Sequence, residues 1–496
     1  MTGLVLALLV AMAPFLPAPA GAAPPAPPAP ADTLRLSLPG AVARALTVSE
    51  EIRVAEAHLA LAGSRVTQSR AQVLPQLTAG VRYSRQLASI FEGSAVPGIE
   101  PFAPDTLAPL EDRVRDLEEA LPGAALSGLG SLFGNLPFGR ENTWVASLDL
   151  SQKVYQGGAL LGAIRAAHHV RSAAAEALAD SRTDIALSVQ ESFLAALLAD
   201  RLVEIATLAL EQAERQLALV RLRHEVGRVS DFDLLQAEVQ RDNQRPPLVE
   251  AENARAVAYL NLKRLINLPP ATPLALEGRL LDEGAPLPEL EVHDREVLAG
   301  EAMRRPGVRS VEEVVAARER GVEIAAGGRW PEVSLFATYS QQAFPEDLFP
   351  RRQEWREDFL VGLRMNLNLF DGFLTRGRID EAKAQLRSGQ EELAILREAR
   401  RVEVEQRAGE FERARADLQS RQQTVRWAKR VHELAALRYE EGAANLFDVA
   451  DVRIAEQIAR INEARARYDL HLALARLEKL TGRPLLSAVA GAPGES

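Results

Sequence analysis

Apolar and polar residues recur along this chain with two periods, and each period appears in both halves. From Leu36 to Gln72 the apolar positions, Leu59, Ala62 and Val66 among them, fall three or four apart, which predicts a helix ending before Pro75. The period then drops to two. Leu77, Ala79, Val81 and Tyr83 alternate with Thr78, Gly80, Arg82 and Ser84, the pattern of a strand. A second alternation sets Trp144, Ala146, Leu148 and Leu150 against Thr143, Val145, Ser147, Asp149 and Ser151. The later half repeats the pair: Val333, Leu335, Ala337 and Tyr339, then Phe359, Val361, Leu363, Met365, Leu367 and Leu369 against Gly362, Arg364, Asn366 and Asn368. The four strands are expected near 75–86, 142–155, 331–341 and 357–370.

Between the strands the helical period runs on at unusual length. No proline occurs from Gly139 to Arg245 or from Arg351 to Arg483. The run from Ala159 to Arg223 would span about 98 Å at 1.5 Å per residue, and Leu187, Leu194, Leu198, Leu202 and Ile205 have coiled-coil spacing. Each long run ends on the same signal. Arg223 to Asp233 reads RHEVGRVSDFD, and Arg438 to Asp448 reads RYEEGAANLFD, so that Gly227 corresponds to Gly442. Both glycines can close a helix in the left-handed conformation. Ser230 and Asn445 are then N-caps of a following helix, with Asp233 and Asp448 at the third position, near the free N–H groups and the positive helix end. The match holds ungapped from about 144 to 269, which predicts one body built twice, 36–270 and 292–485, joined by 271–291 and followed by a tail, 486–496. Two irregularities break the symmetry. Pro246-Pro247 stands where the second copy has Ile461-Asn462, so the fourth long helix should bend or break there. The connection from Gln86 to Asn142 is much longer than its counterpart, and within it Leu110 to Leu121 reads as helix.

The strands are long as well. Trp144 to Tyr155 covers about 36 Å, or about 25 Å at a 45° tilt, which is the apolar height of an outer-membrane barrel, and aromatic residues lie at both ends. Four strands cannot close such a barrel, and open edges cannot face lipid, so a chain of this kind must assemble with copies of itself. No run of 18 apolar residues offers a transmembrane helix.

Composition narrows the function classes. The 496 residues carry a formal charge of −10, which argues against a nucleic-acid partner. The absence of cysteine removes thiol catalysis, disulfides, thiolate metal sites and a lipidated N-terminal cysteine. Leu4 to Met12 is a short apolar core followed by Ala20-Gly21-Ala22, which reads as an export signal over 1–22, with a buried N-terminal helix as the alternative. An Ala/Pro-rich leader, 23–35, follows it. His168 and His169 are adjacent and so diverge by about 100° on a helix, a poor arrangement for a shared metal. With no phosphate loop and no nucleophile elbow, the chain is assigned no catalytic residue, no metal and no cofactor.

Strand pairs, long helical hairpins, the export signal and the doubled Gly-x-x-[Ser/Asn]-x-Phe-Asp turn together resemble the TolC family of outer-membrane efflux channels, over about Leu36 to Leu485. The resemblance implies a mainly α protein whose four strands per chain join in a homotrimer to form a twelve-stranded β-barrel, continued by a helical tunnel into the periplasm. It implies a passive exit duct in outer-membrane lipid, serving tripartite efflux or type I secretion. Its partners would be an inner-membrane transporter and a periplasmic adaptor that docks on the tips near Val226, Gly227, Glu441 and Gly442. Tyr439, Gly442, Asp448 and Asp451 match the family's entrance turn, and Asp233 matches the carboxylate that joins Tyr439 in the closing network. The family's arginine position holds Ala444, so the entrance would be held shut more weakly, or by another cation such as Arg228. Asp448 and Asp451, three apart, would gather six carboxylates about a threefold axis and attract cations, although capping alone also accounts for Asp448. From a different class, a periplasmic coiled-coil scaffold would share the helices without forming a channel.

Overall fold

The computed structural model describes residues 33–87, 105, 107–121, 141–278, 295–441, 443 and 445–482. The expected export signal, nearly all of the leader, the C-terminal tail and most of the long connection after Gln86 lie outside these residues, as do Gly442 and Ala444.

The first half begins with β1 (Leu34–Ser37), α1 (Leu38–Val48) and α2 (Glu50–Ala71), followed by β2 (Gln76–Arg85). The single helix expected from Leu36 is therefore divided. Leu36 lies in a strand, Ser37 caps α1 by accepting from Gly40 N–H, and the extended backbone of Ser49 separates α1 from α2. Residues 110–121 form α3, where the sequence places a helix. Then come β3 (Asn142–Gln156), the 67-residue α4 (Ala159–Glu225), α5 (Asp231–Asp242), α6 (Arg245–Leu265) and β4 (Leu274–Glu277). The second half contains α7 (Arg295–Ala302), α8 (Pro306–Gly327), β5 (Glu332–Ala343), β6 (Arg356–Asn366), the 67-residue α9 (Leu374–Glu440) and α10 (Leu446–Thr481). The two long helices keep the register that relates Gly227 to Gly442, since Ala159 corresponds to Leu374 at their starts and Glu225 to Glu440 at their ends. Each would be about 100 Å long.

The helix after the first tip breaks at Asn243-Gln244, and Pro246 stands at the start of α6, where its missing N–H has no helical partner to lose. The equivalent α10 runs unbroken through Ile461. The corner from strand to long helix turns on two left-handed residues in both halves, Gly157-Gly158 and Gly372-Phe373. At Gly157, with φ 56°, a Cβ would lie 2.5 Å from the Gly327 carbonyl oxygen, so the helix and strand of the two halves meet there as bare backbone.

The four long strands form one antiparallel sheet in the order β2-β3-β5-β6. Leu77↔Leu150, Tyr83↔Trp144, Leu148↔Tyr339 and Val361↔Ala337 share one face, while Thr78↔Asp149, Ser147↔Ser340 and Arg364↔Ser334 share the other. The apolar face thus continues across all four strands. On the polar face Asp149 accepts from Ser147 and Thr338, and Arg364 stacks on Phe336. At one end of the sheet Trp144 packs against Tyr83 and Phe349. A bulge between Lys153 and Tyr155 lets β3 reach Gln156 opposite Glu332. β6 has no bulge and ends at Asn366, also opposite Glu332, so Leu367 and Leu369 fall beyond the sheet although their alternation continues. Among the described residues no strand pairs with the outer edges of β2 or β6.

The helices pack beside one another below the sheet, α2, α6 and α8 along α4, and α10 along both α9 and α4. The parallel pair β1–β4 closes a core midway along α4, where Phe193, Val189, Leu262 and Ile266 are fully buried. Truncating Phe193 to Ala there should cost about 3–5 kcal/mol. Among the described residues no helix is long and apolar enough to cross a membrane.

Candidate functional site: the paired hairpin tips

Each tip is built by capping chemistry. At the end of α4, Gly227 adopts φ 72° and its N–H donates to the His224 carbonyl, while Arg228 N–H reaches back to Arg223, the paired bonds of a Schellman turn. The second tip repeats the long bond, Ala443 N–H to the Arg438 carbonyl. Ser230 and Asn445 then cap α5 and α10 in reciprocal boxes with Asp233 and Asp448. Asp233 Oδ2 accepts from Ser230 N and Oγ at 3.0 and 2.7 Å. Asp448 Oδ2 accepts from Asn445 N–H at 3.3 Å.

The tips lie side by side. Phe232 and Phe447, at equivalent positions of the two halves, have ring centroids 6.2 Å apart. The Arg223 guanidinium sits 5.0 Å above the centroid of Tyr439, which also packs on Leu217, Val220 and Ala237. Val226 and Glu441 are exposed at the ends of the hairpins. Thus Tyr439 meets Arg223 of the neighbouring hairpin, whereas the Asp233 carboxylate is held in its own cap. The cation at Tyr439 is Arg223 and not the exposed Arg228. Sequence pattern did not single out Arg223, nor the meeting of Phe232 with Phe447. The Phe residues were visible as the doubled Phe before each Asp.

Asp451 is exposed and has no hydrogen bond or ion pair among the described residues. Its face of α10 also carries Phe447, Ile454 and Ile458, all exposed, at helical spacing. Asp448 and Asp451 therefore differ: one is committed to a cap, the other is unengaged. Higher on α10 a charged row, Arg453, Glu456, Glu463, Arg467 and His471, is buried instead of apolar. Glu456 joins α10 to α9 through His432 and also holds Arg460; Glu463 holds Arg467 at 2.6 Å. His168 and His169 diverge, the first against Arg70 and the second bonded to Glu313 at 2.7 Å.

A sheet apolar on one face with two open edges, above two long helices that end in paired tips, is an architecture found in known proteins of one family. The sequence pattern of the family described as outer membrane efflux protein fits residues 41–268 and 300–483. The chain belongs to this family. It is similar to protein CyaE of Bordetella pertussis, 27% identical over 359 residues, which cover 71% of either chain. It also resembles the pyoverdine export outer membrane protein OpmQ of Pseudomonas aeruginosa, 26% identical over 354 residues, or 69% of either chain. Among solved structures, the Campylobacter jejuni CmeC outer membrane channel superposes with a TM-score of 0.67 at 16% identity, over 90% of this chain and 85% of that one. The protein is accordingly an outer-membrane efflux channel of TolC type with a periplasmic helical extension. The scaffold alternative has no place in a family of outer-membrane channels.

Proposed function

We propose that three copies of this chain join β2 of one to β6 of the next, closing a twelve-stranded barrel that is continued by a helical tunnel, and that this duct passively conducts solutes to the exterior. The observation that carries this reading is the four-stranded sheet, whose apolar face runs across every strand while both outer edges stay open. In this reading the internal duplication supplies near-equivalent hairpins around the tunnel. A periplasmic adaptor docks on the tips at Val226, Gly227, Glu441 and Gly442, and an inner-membrane transporter supplies the energy. That OpmQ is a pyoverdine export outer membrane protein supports a solute-carrying duct, serving tripartite efflux or type I secretion.

The entrance lies at the tips. There Asp451 of each copy, with Asp448 behind it, forms a ring of carboxylates that attracts cations. Tyr439 and Asp233 belong to the elements that hold the tips closed, with Arg223 supplying the positive charge at Tyr439. The test is planar-bilayer recording of the purified protein. Cation-selective conductance blocked by multivalent cations is expected, and the absence of any conductance from correctly assembled protein would overturn the reading.

A further inference from the structure

Arg453 is the most deeply buried arginine among the described residues, 7% exposed, yet it makes no hydrogen bond or ion pair with any of them. A guanidinium that has lost most of its water and gained no protein partner is destabilised unless a counter-ion accompanies it. Loss of hydration lowers the Arg453 pKa, with no neighbouring carboxylate pulling it back up. The nearest acid on the same face of α10 is Glu456, one turn on, and both of its oxygens are taken, Oε2 by His432 and Oε1 by Arg460. Among the described residues no carboxylate is left to neutralise Arg453.

The guanidinium instead lines a solvent-open notch of about 20 Å³ between α4 and α10, whose polar walls are Gln212, Arg453, Glu456, Gln457 and Arg460. That volume holds a single small species. Two guanidinium groups and one carboxylate leave the wall with one net positive charge, and the amides of Gln212 and Gln457 can each turn an N–H inward. A water could accept from Arg453 but would not offset its charge. We propose that this notch binds a small monovalent anion of the halide class, held by Arg453 on α10 and Gln212 on α4, which ties α10 to α4 above the entrance. Gluconate is too large to enter a space of this volume as a whole ion. The site is independent of the channel reading.

The experiment uses the full-length, detergent-solubilised assembly and does not depend on conduction, so its outcome is separate from that of the duct. Thermal unfolding is compared in sodium chloride and in sodium gluconate at equal ionic strength, for the parent, R453M and the surface control R426M. The parent and R426M should unfold about 2 °C or more higher in chloride, and R453M should show no difference. A parent indifferent to the exchange, or an R453M that keeps the full chloride response, would overturn the proposal. Should R453M fail to fold, diffraction from parent crystals grown in bromide decides. An anomalous peak between Arg453 and Gln212 supports the site, and a bromide-free notch overturns it.

Discussion

Phe232 and Phe447 occupy the same position in the two halves of the chain, and their rings meet 6.2 Å centre to centre where the two hairpins end. The contact joins α5 to α10, just as Arg223 over Tyr439 joins α4 to α9. Two aromatic contacts thus hold the tips together within one chain. In a double-mutant cycle, Phe232→Ala and Phe447→Ala should be coupled by about 0.5–1.5 kcal/mol in thermal or denaturant unfolding. Additive effects would mean that the rings lie together without holding the tips.

The carboxylates at the second tip should separate stability from selectivity. Asn445→Ala removes the cap and should cost about 1 kcal/mol. Asp451→Ala touches no partner and should change stability by less than about 0.5 kcal/mol, while lowering cation selectivity and cation block in bilayer recordings. The selectivity of the parent should fall as salt rises, because the field of exposed carboxylates decays over about 8 Å at physiological ionic strength.

Burial holds the His471 pKa down at about 4, with Arg467 contributing. The unfolded chain takes up this proton near pH 6.5 and the folded chain does not, so stability from this group is complete above pH 6.5 and is lost as pH falls towards 4. Between pH 7 and pH 5 the loss should be about 2 kcal/mol relative to His471→Gln, measured by chemical unfolding at each pH. Parallel curves for the two proteins would show that the imidazole is protonated in the fold.

Gly157 should tolerate no side chain. Its φ of 56° is unfavourable for alanine, and the added Cβ would sit 2.5 Å from a backbone oxygen that cannot swing away. Gly157→Ala should sharply reduce the yield of folded protein, whereas Gly158→Ala, with φ 82° but open space around it, should cost less. Equal yields would show that the corner can relax.

Local rules made much of the fold legible. Ser230-x-x-Asp233 and Asn445-x-x-Asp448 fixed both caps, Pro246-Pro247 fixed the helix break, and period-two alternation located the sheet. What escaped was set by partners distant in sequence. The four-residue β1 is a strand only because Leu34 pairs with Leu274, and β6 stops at Asn366 because β5 begins at Glu332. The aromatic meeting of the tips required the relative placement of two hairpins, which no local pattern encodes. The buried row on α10 was legible in principle. Arg453, Glu456, Glu463 and Arg467, with the half-buried Arg460 between them, follow the three-and-four spacing that apolar seam residues would occupy.

The open edges of β2 and β6 place the heaviest demand on assembly, since each edge exposes an unpaired row of backbone donors and acceptors that lipid cannot satisfy. The most direct measurement is the mass of the protein extracted from membranes in mild detergent, taken by native mass spectrometry. A single species of three chains is the expected result; a folded, monodisperse single chain would contradict the shared barrel.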